Sequence, residues 1–122
     1  MSQFQDHLRG ALEACFPHAL IQENVSIAWE GQQLYVDFVL PHLGLAFESD
    51  GAQHETYSEF YHGSTIAFRR AKRRDAQKDE WAAASPYVLI RIPWKDRERL
   101  SPTYLLSRVK EAMYGQEKGK GQ

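Results

Sequence analysis

The chain has 122 residues, 43% of them apolar and 12% aromatic, one cysteine, and a formal charge of −1 at pH 7. That length suits one globular core and argues against a second domain. A lone Cys15 has no internal disulfide partner and no neighbour at thiolate-zinc spacing, so it reads as a small core residue. No apolar run reaches the roughly eighteen residues of a membrane helix, and the start, with Gln3, Gln5, Asp6 and His7, lacks the basic-then-apolar order of a secretion signal. A cytoplasmic location is expected.

In chain order, Phe4, Leu8, Ala11, Leu12 and Cys15 form one stripe at helical spacing over residues 3–16, which Pro17 ends. Val25 to Trp29 alternates and is rich in β-branched residues; Glu30-Gly31-Gln32 makes a tight turn, and Leu34 to Leu40 resumes as a strand until Pro41. A third strand, Leu45 to Asp50, runs into Gly51. Residues 52–64 are polar and aromatic and read as irregular, with Gly63-Ser64-Thr65 opening a long helix to Ala84. After Pro86 the segment Tyr87 to Ile92 is almost wholly apolar, the pattern of a strand buried on both faces and therefore central in a sheet. Its one charged member is Arg91. Ser101-Pro102 supplies an N-cap and a first-turn proline for a last amphipathic helix carrying Leu105, Leu106, Val109 and Met113. The order is αβββαβα, with a single domain over residues 1–114 and a frayed, flexible tail over 115–122.

Three carboxylates stand out on the strands. Glu48 and Asp50 are two apart and share a face if their segment is extended, and Asp37 sits on the preceding strand, paired through the turn at Pro41 to Gly44. Hard oxygens gathered at one end of a sheet suit a divalent ion such as Mg²⁺. On the long helix, at about 100° per residue, Phe68, Ala71 and Ala82 form one stripe that also contains Asp75 and Lys78. Polar groups on a core-facing stripe need partners, which directs both toward the carboxylates. Arg69, Arg70, Lys72, Arg73 and Arg74 crowd into six positions of the same helix. Arg69, Lys72 and Arg73 project from a different side of it, as a ridge able to neutralise nucleic-acid phosphates.

Asp37, then Glu48-x-Asp50-Gly51-x-Gln53-His54, then a basic helix with Asp75-x-x-Lys78, then a strand ending Leu89-Ile90-Arg91, resembles the PD-(D/E)XK restriction-endonuclease-like superfamily, and most of all its very-short-patch-repair (Vsr-like) small endonucleases. The likeness covers residues 25–94. It implies an α/β fold with a restriction-endonuclease-like αβββαβ core, a mixed central sheet flanked by helices, here followed by a C-terminal helix. It also implies a Mg²⁺- or Mn²⁺-dependent endonuclease that hydrolyses DNA phosphodiesters, with Asp37, Glu48 and Asp50 as the metal set. Asp50 stands where many members carry lysine. His54 is then the candidate base, since a neutral imidazole takes a proton near pH 7; Lys78 alternatively returns the missing positive charge, and Asp75 orients His54 or a metal-bound water.

Other residues carry less. Glu13 matches the acidic residue that the superfamily has on its first helix, but it lies opposite the Phe4, Leu8, Leu12 stripe and reads as a surface group, and Glu23 is no better placed. His42 and His62 read as exposed loop residues. Tyr57, Phe60 and Tyr61 make an aromatic loop that packs under the long helix or stacks on a base, and Trp29, Trp81 and Trp94 read as core anchors. The alternative function is a catalytically silent nuclease fold that binds nucleic acid or a partner protein through the basic ridge. A surface this small reads a long DNA site only as a homodimer or with a recognition partner.

Overall fold

The computed structural model describes residues 2–51 and 65–120, for 116–120 the backbone alone. Helix α1 spans Gln3–Cys15. Ser2 caps it by accepting the Gln5 N–H at 3.0 Å, and its buried stripe is Phe4, Leu8 and Leu12. Strands β1 (Gln22–Trp29) and β2 (Gln32–Leu40) form an antiparallel hairpin. Glu30 and Gly31 both have positive φ, 47° and 76°, the geometry by which a two-residue loop matches strand twist. The hairpin starts three residues earlier than Val25, because Gln22 pairs with Val39 on an edge strand whose alternate side chains are exposed.

After β2 the chain makes a 3₁₀ turn at Pro41–Leu43 and reverses at Gly44, whose φ is 66°. A Cβ there would also meet the Pro86 carbonyl oxygen at 3.1 Å. Strand β3 (Leu45–Asp50) pairs antiparallel with β2 and parallel with β4 (Val88–Pro93), giving a mixed four-stranded sheet in the order β1-β2-β3-β4. Helix α2 (Thr65–Ala84) connects β3 to β4, and α3 (Pro102–Lys120) closes the chain. Ser101 caps α3, accepting the Tyr104 N–H at 3.1 Å. The helix continues through residues that the sequence assigned to the tail.

Helices cover both faces. On one, Phe4, Leu8 and Leu12 of α1 and Leu105 and Val109 of α3 pack on Phe38, Leu40, Leu45, Phe47, Ile90 and Ile92. On the other, Trp81 packs with Val36, Val39, Ala46 and Leu89, stacked on Tyr87 at 5.4 Å. Removing a side chain such as Leu8, which has no exposed surface, costs about 2–5 kcal/mol. Cys15 packs against the first cluster, and burial raises its thiol pKa, as suits a core residue.

The reading of β4 as central needs correction: it is an edge strand, bonded to β3 alone among the described residues. Its apolar run arises because α2 covers one face and α1 with α3 the other, and burial on two faces does not require two strand neighbours. Arg108 of α3 crosses the open edge, its Nη2 donating to the Arg91 carbonyl at 2.8 Å. No described helix is long and apolar enough to cross a membrane.

Candidate active site

Val36 and Phe38 are two apart yet face opposite clusters, so β2 turns over at Asp37. Opposite it is Asn24, at φ 54°, and the β1–β2 ladder has no Asn24–Asp37 pair between Glu23–Phe38 and Val25–Val36. The β2–β3 ladder in turn ends at Phe38–Phe47. Beyond that pair, side chains replace backbone pairing. Glu48 Oε2 accepts the Asp37 N–H at 3.1 Å, while Asp37 Oδ2 accepts both the Ser49 N–H and the Ser49 hydroxyl at 2.8 Å. Two carboxylates are thus locked side by side where two strands part.

Glu48 lies on the sheet face that α2 covers and is 5% exposed. Lys78 reaches it from α2, its ammonium donating to Oε1. Burial raises the Glu48 pKa, the Asp37 charge raises it further, and together they outweigh the pull of Lys78, so that it stands at about 7. The cause is loss of solvation by a charge set beside a like charge.

Asp50, on the same face, has Oδ2 4.0 Å from Arg91 Nε. Arg91 is the register partner of Glu48 on β4 and also binds α2, through Asp79 Oδ1 at 2.5 Å and the Asp75 carbonyl at 2.9 Å. The structure therefore gathers Asp37, Glu48 and Lys78, sets Asp50 beside Arg91, and brings Asp75 to the same helix–sheet interface through its backbone. His54 and the aromatic loop residues Tyr57, Phe60 and Tyr61 lie outside the described residues. Arg69, Arg70, Lys72, Arg73 and Arg74 are all exposed, with the Lys72 ammonium 5.5 Å from the Phe68 ring centre.

The expected outsiders are outside. Glu13 is exposed, and Glu23 is bound by Arg9 at 2.7 and 2.9 Å, tying α1 to β1. Both line a cleft of about 260 Å³ that contains none of the three strand carboxylates. Three residues of the interface went unassigned from sequence: Ser49, Asp79 and Arg91. Ser49 had no signal beyond lying between two acids, but Arg91 had one: a charge in a strand buried on both faces must have partners.

Among the described residues no three His, Cys, Asp or Glu side chains converge as a metal-binding group. The donor chemistry nevertheless fits Mg²⁺, which keeps several waters and is bound through one or two carboxylates plus substrate phosphates. Asp37 and Glu48 are such a pair of carboxylates, held side by side.

No family model matches the chain, and no solved structure matches it. It is similar to uncharacterized protein 033L of Invertebrate iridescent virus 3, with 29% identity over 80 residues, 66% of this chain. The aligned stretch covers 41% of the viral protein.

Proposed function

We propose that this chain is a metal-dependent endonuclease of the restriction-endonuclease-like type, hydrolysing DNA phosphodiesters in the cytoplasm. One observation carries it: a buried glutamate held between a lysine ammonium and a backbone N–H, beside a second carboxylate, where two strands part. Burying a carboxylate beside another is costly unless it is well compensated. Such perturbed groups cluster where chemistry is done.

In this mechanism Asp37 and Glu48 hold the ion, which supplies a Lewis acid for a phosphoryl oxygen and for charge on the leaving 3′ oxygen. Lys78 restores from α2 the positive charge that Asp50 does not provide, stabilising the extra negative charge of the transition state. Asp50 is the counter-ion of Arg91, in place of the third metal ligand expected from sequence. His54 remains the proposed base for the attacking water, and Asp75 its orienting partner. The exposed basic residues of α2 bind the DNA backbone beside the cut, and a second copy or a partner chain supplies further recognition.

The rival is a silent nuclease fold that only binds. What favours it is that Lys78 and the Asp37 N–H between them engage both Glu48 oxygens, a charge balance complete without metal. Incubating the protein with plasmid and branched DNA at low salt, with Mg²⁺ or Mn²⁺, separates the two. Cleavage that EDTA stops supports the enzyme; intact DNA that is nonetheless retained in a gel shift supports the binder.

A further inference from the structure

We infer that Arg91 is a positioning residue of this site, holding the Asp75–Asp79 turn of α2 so that Lys78 stands on Glu48, an assignment that rests on the nuclease reading of the Asp37–Glu48 pair. Glu48 and Arg91 are register partners on neighbouring parallel strands, and both reach toward α2. Glu48 takes Lys78. Arg91 takes the residues on either side of it in the helix, donating to the Asp79 carboxylate at 2.5 Å and to the Asp75 carbonyl at 2.9 Å.

The spacing gives the arrangement its purpose. Asp75 and Asp79 are one helical turn apart, and Lys78 lies between them. A guanidinium that holds both ends of a turn fixes that turn's rotation about the helix axis as well as its distance from the sheet. Arg91 suits this, because its planar fork presents several donors in fixed geometry where a lysine offers one compact charge. Lys78 by itself reaches Glu48 on a flexible stem; Trp81, three residues on, packs the helix against the sheet, and Arg91 holds the turn that carries Lys78.

Arg91 is in turn held from behind. Its carbonyl accepts from Arg108 of α3 at 2.8 Å, so a bond from α3 reaches the strand position from which α2 is gripped. The Arg91 Nε is buried with no hydrogen-bond acceptor, and Asp50 Oδ2 lies 4.0 Å from it.

The test reads Lys78 directly, without substrate. Purified full-length protein is treated with a trace amine-reactive reagent, and modification at Lys78 is followed by mass spectrometry. In the wild type the ion pair protects Lys78, while Arg91→Met raises its modification rate about ten-fold, within the range by which contacting residues couple. Arg91→Lys, which returns the charge without the fork, protects only partly. Leu12→Ala, a core truncation on the opposite face of the sheet, controls for lost stability and leaves Lys78 protected. Equal Lys78 rates in wild type and Arg91→Met overturn the inference, as does an equal rise in Leu12→Ala. On a cleavable DNA, Arg91→Met lowers kcat with KM little changed; a change in KM alone also overturns it. Wild-type protein that never cleaves overturns the nuclease reading instead, because protection of Lys78 is measured without it.

Discussion

Two carboxylates are buried among the described residues, Glu48 at 5% exposure and Asp96 at 7%, and they are treated in opposite ways. Asp96, in the 3₁₀ turn Trp94–Asp96 after β4, accepts the Tyr104 hydroxyl at 2.6 Å and Arg99 Nη1 at 3.4 Å. The Tyr104 hydrogen bond holds its pKa below the usual carboxylate range, while burial, aided by Asp96, pushes the tyrosine up to about 12. Asp96 is covered by groups chosen to suit its charge. Glu48 is paired with Lys78, but its burial and its neighbour Asp37 outweigh that pairing, so its pKa moves up instead of down. Asp96 fastens a loop to a helix, whereas Glu48, though it accepts from Lys78 and the Asp37 N–H, stands beside a second carboxylate.

The largest effect should come from exchanging the two. Glu48→Ala removes one of the two proposed metal ligands, and cleavage should fall at least about 10³-fold, the upper range for losing one group that stabilises a transition state. DNA retention in a gel shift should survive. Asp96→Ala should leave cleavage per folded molecule unchanged. If Asp96→Ala silences the protein and Glu48→Ala does not, the assignment of roles is reversed.

The two groups also predict opposite pH dependence. The folded-state pKa of Glu48 is about 7 against an ordinary 4.5, so between those values the native state binds more protons than the unfolded chain. Stability should therefore fall as pH rises through that window, with a penalty of up to about 3 kcal/mol fully present above it. Asp96, whose pKa is depressed, contributes stability that is present above its unfolded value and lost as the medium becomes acidic. Thermal melts across pH separate them: Glu48→Gln should flatten the neutral limb and Asp96→Asn the acid limb. Mg²⁺ should raise the melting temperature more near pH 8 than near pH 5, since protons compete for Glu48. A metal-induced rise that is the same at both pH values would count against Glu48 as a ligand.

A smaller change tests Asp96 from its partner's side. Tyr104→Phe deletes the hydroxyl that the buried carboxylate accepts, and urea unfolding should report a loss of about 1–3 kcal/mol, as for an acceptor left unsatisfied. Metal affinity should not move. A neutral outcome would mean that Asp96 is already hydrated.

The same contrast explains what the sequence disclosed. Helical and strand periodicity located the strands and α-helices of the described residues, though not the 3₁₀ turn Trp94–Asp96, and the expected bounds of α2 and β3 agree with the observed ones. Glu48 and Lys78 were legible as polar groups on faces that should be buried, and their meeting followed from the helix stripe. The meeting of Asp37 with Glu48 was legible too, from their places on paired strands, but its local geometry was not, since β2 turns over there, opposite Asn24 at φ 54°, and strand alternation misleads at that point. Nor was the edge position of β4, because apolar composition records cover by helices and not the number of strand neighbours. The pairing of Asp50 with Arg91 depends on the parallel register of β3 on β4, which no local pattern encodes.

The smallest effect concerns charges at the surface, where the same test of satisfied against unsatisfied groups applies. Near Asp96, Arg97 lies 4.0 Å over the Trp94 ring and donates to its carbonyl at 3.0 Å, and Arg99 is joined to Asp96 and faces the Tyr104 ring at 5.5 Å. Arg69 and Arg73 are exposed on the outer side of α2, N-terminal to the stretch that delivers Lys78. Each phosphate neutralised on duplex DNA contributes about −0.9 to the slope of log affinity against log salt. Replacing Arg69 and Arg73 together with glutamine should therefore reduce that slope by about 2, weakening binding to all sequences alike. Replacing Arg97 and Arg99 should change it less, because those guanidiniums already face the Trp94 ring and carbonyl and the Asp96 carboxylate. Fluorescence-anisotropy titrations at several salt concentrations decide it. An equal loss of slope in both double variants would place DNA across the Trp94 turn as well as α2, and would mean that engagement within the fold does not withhold an arginine from phosphate.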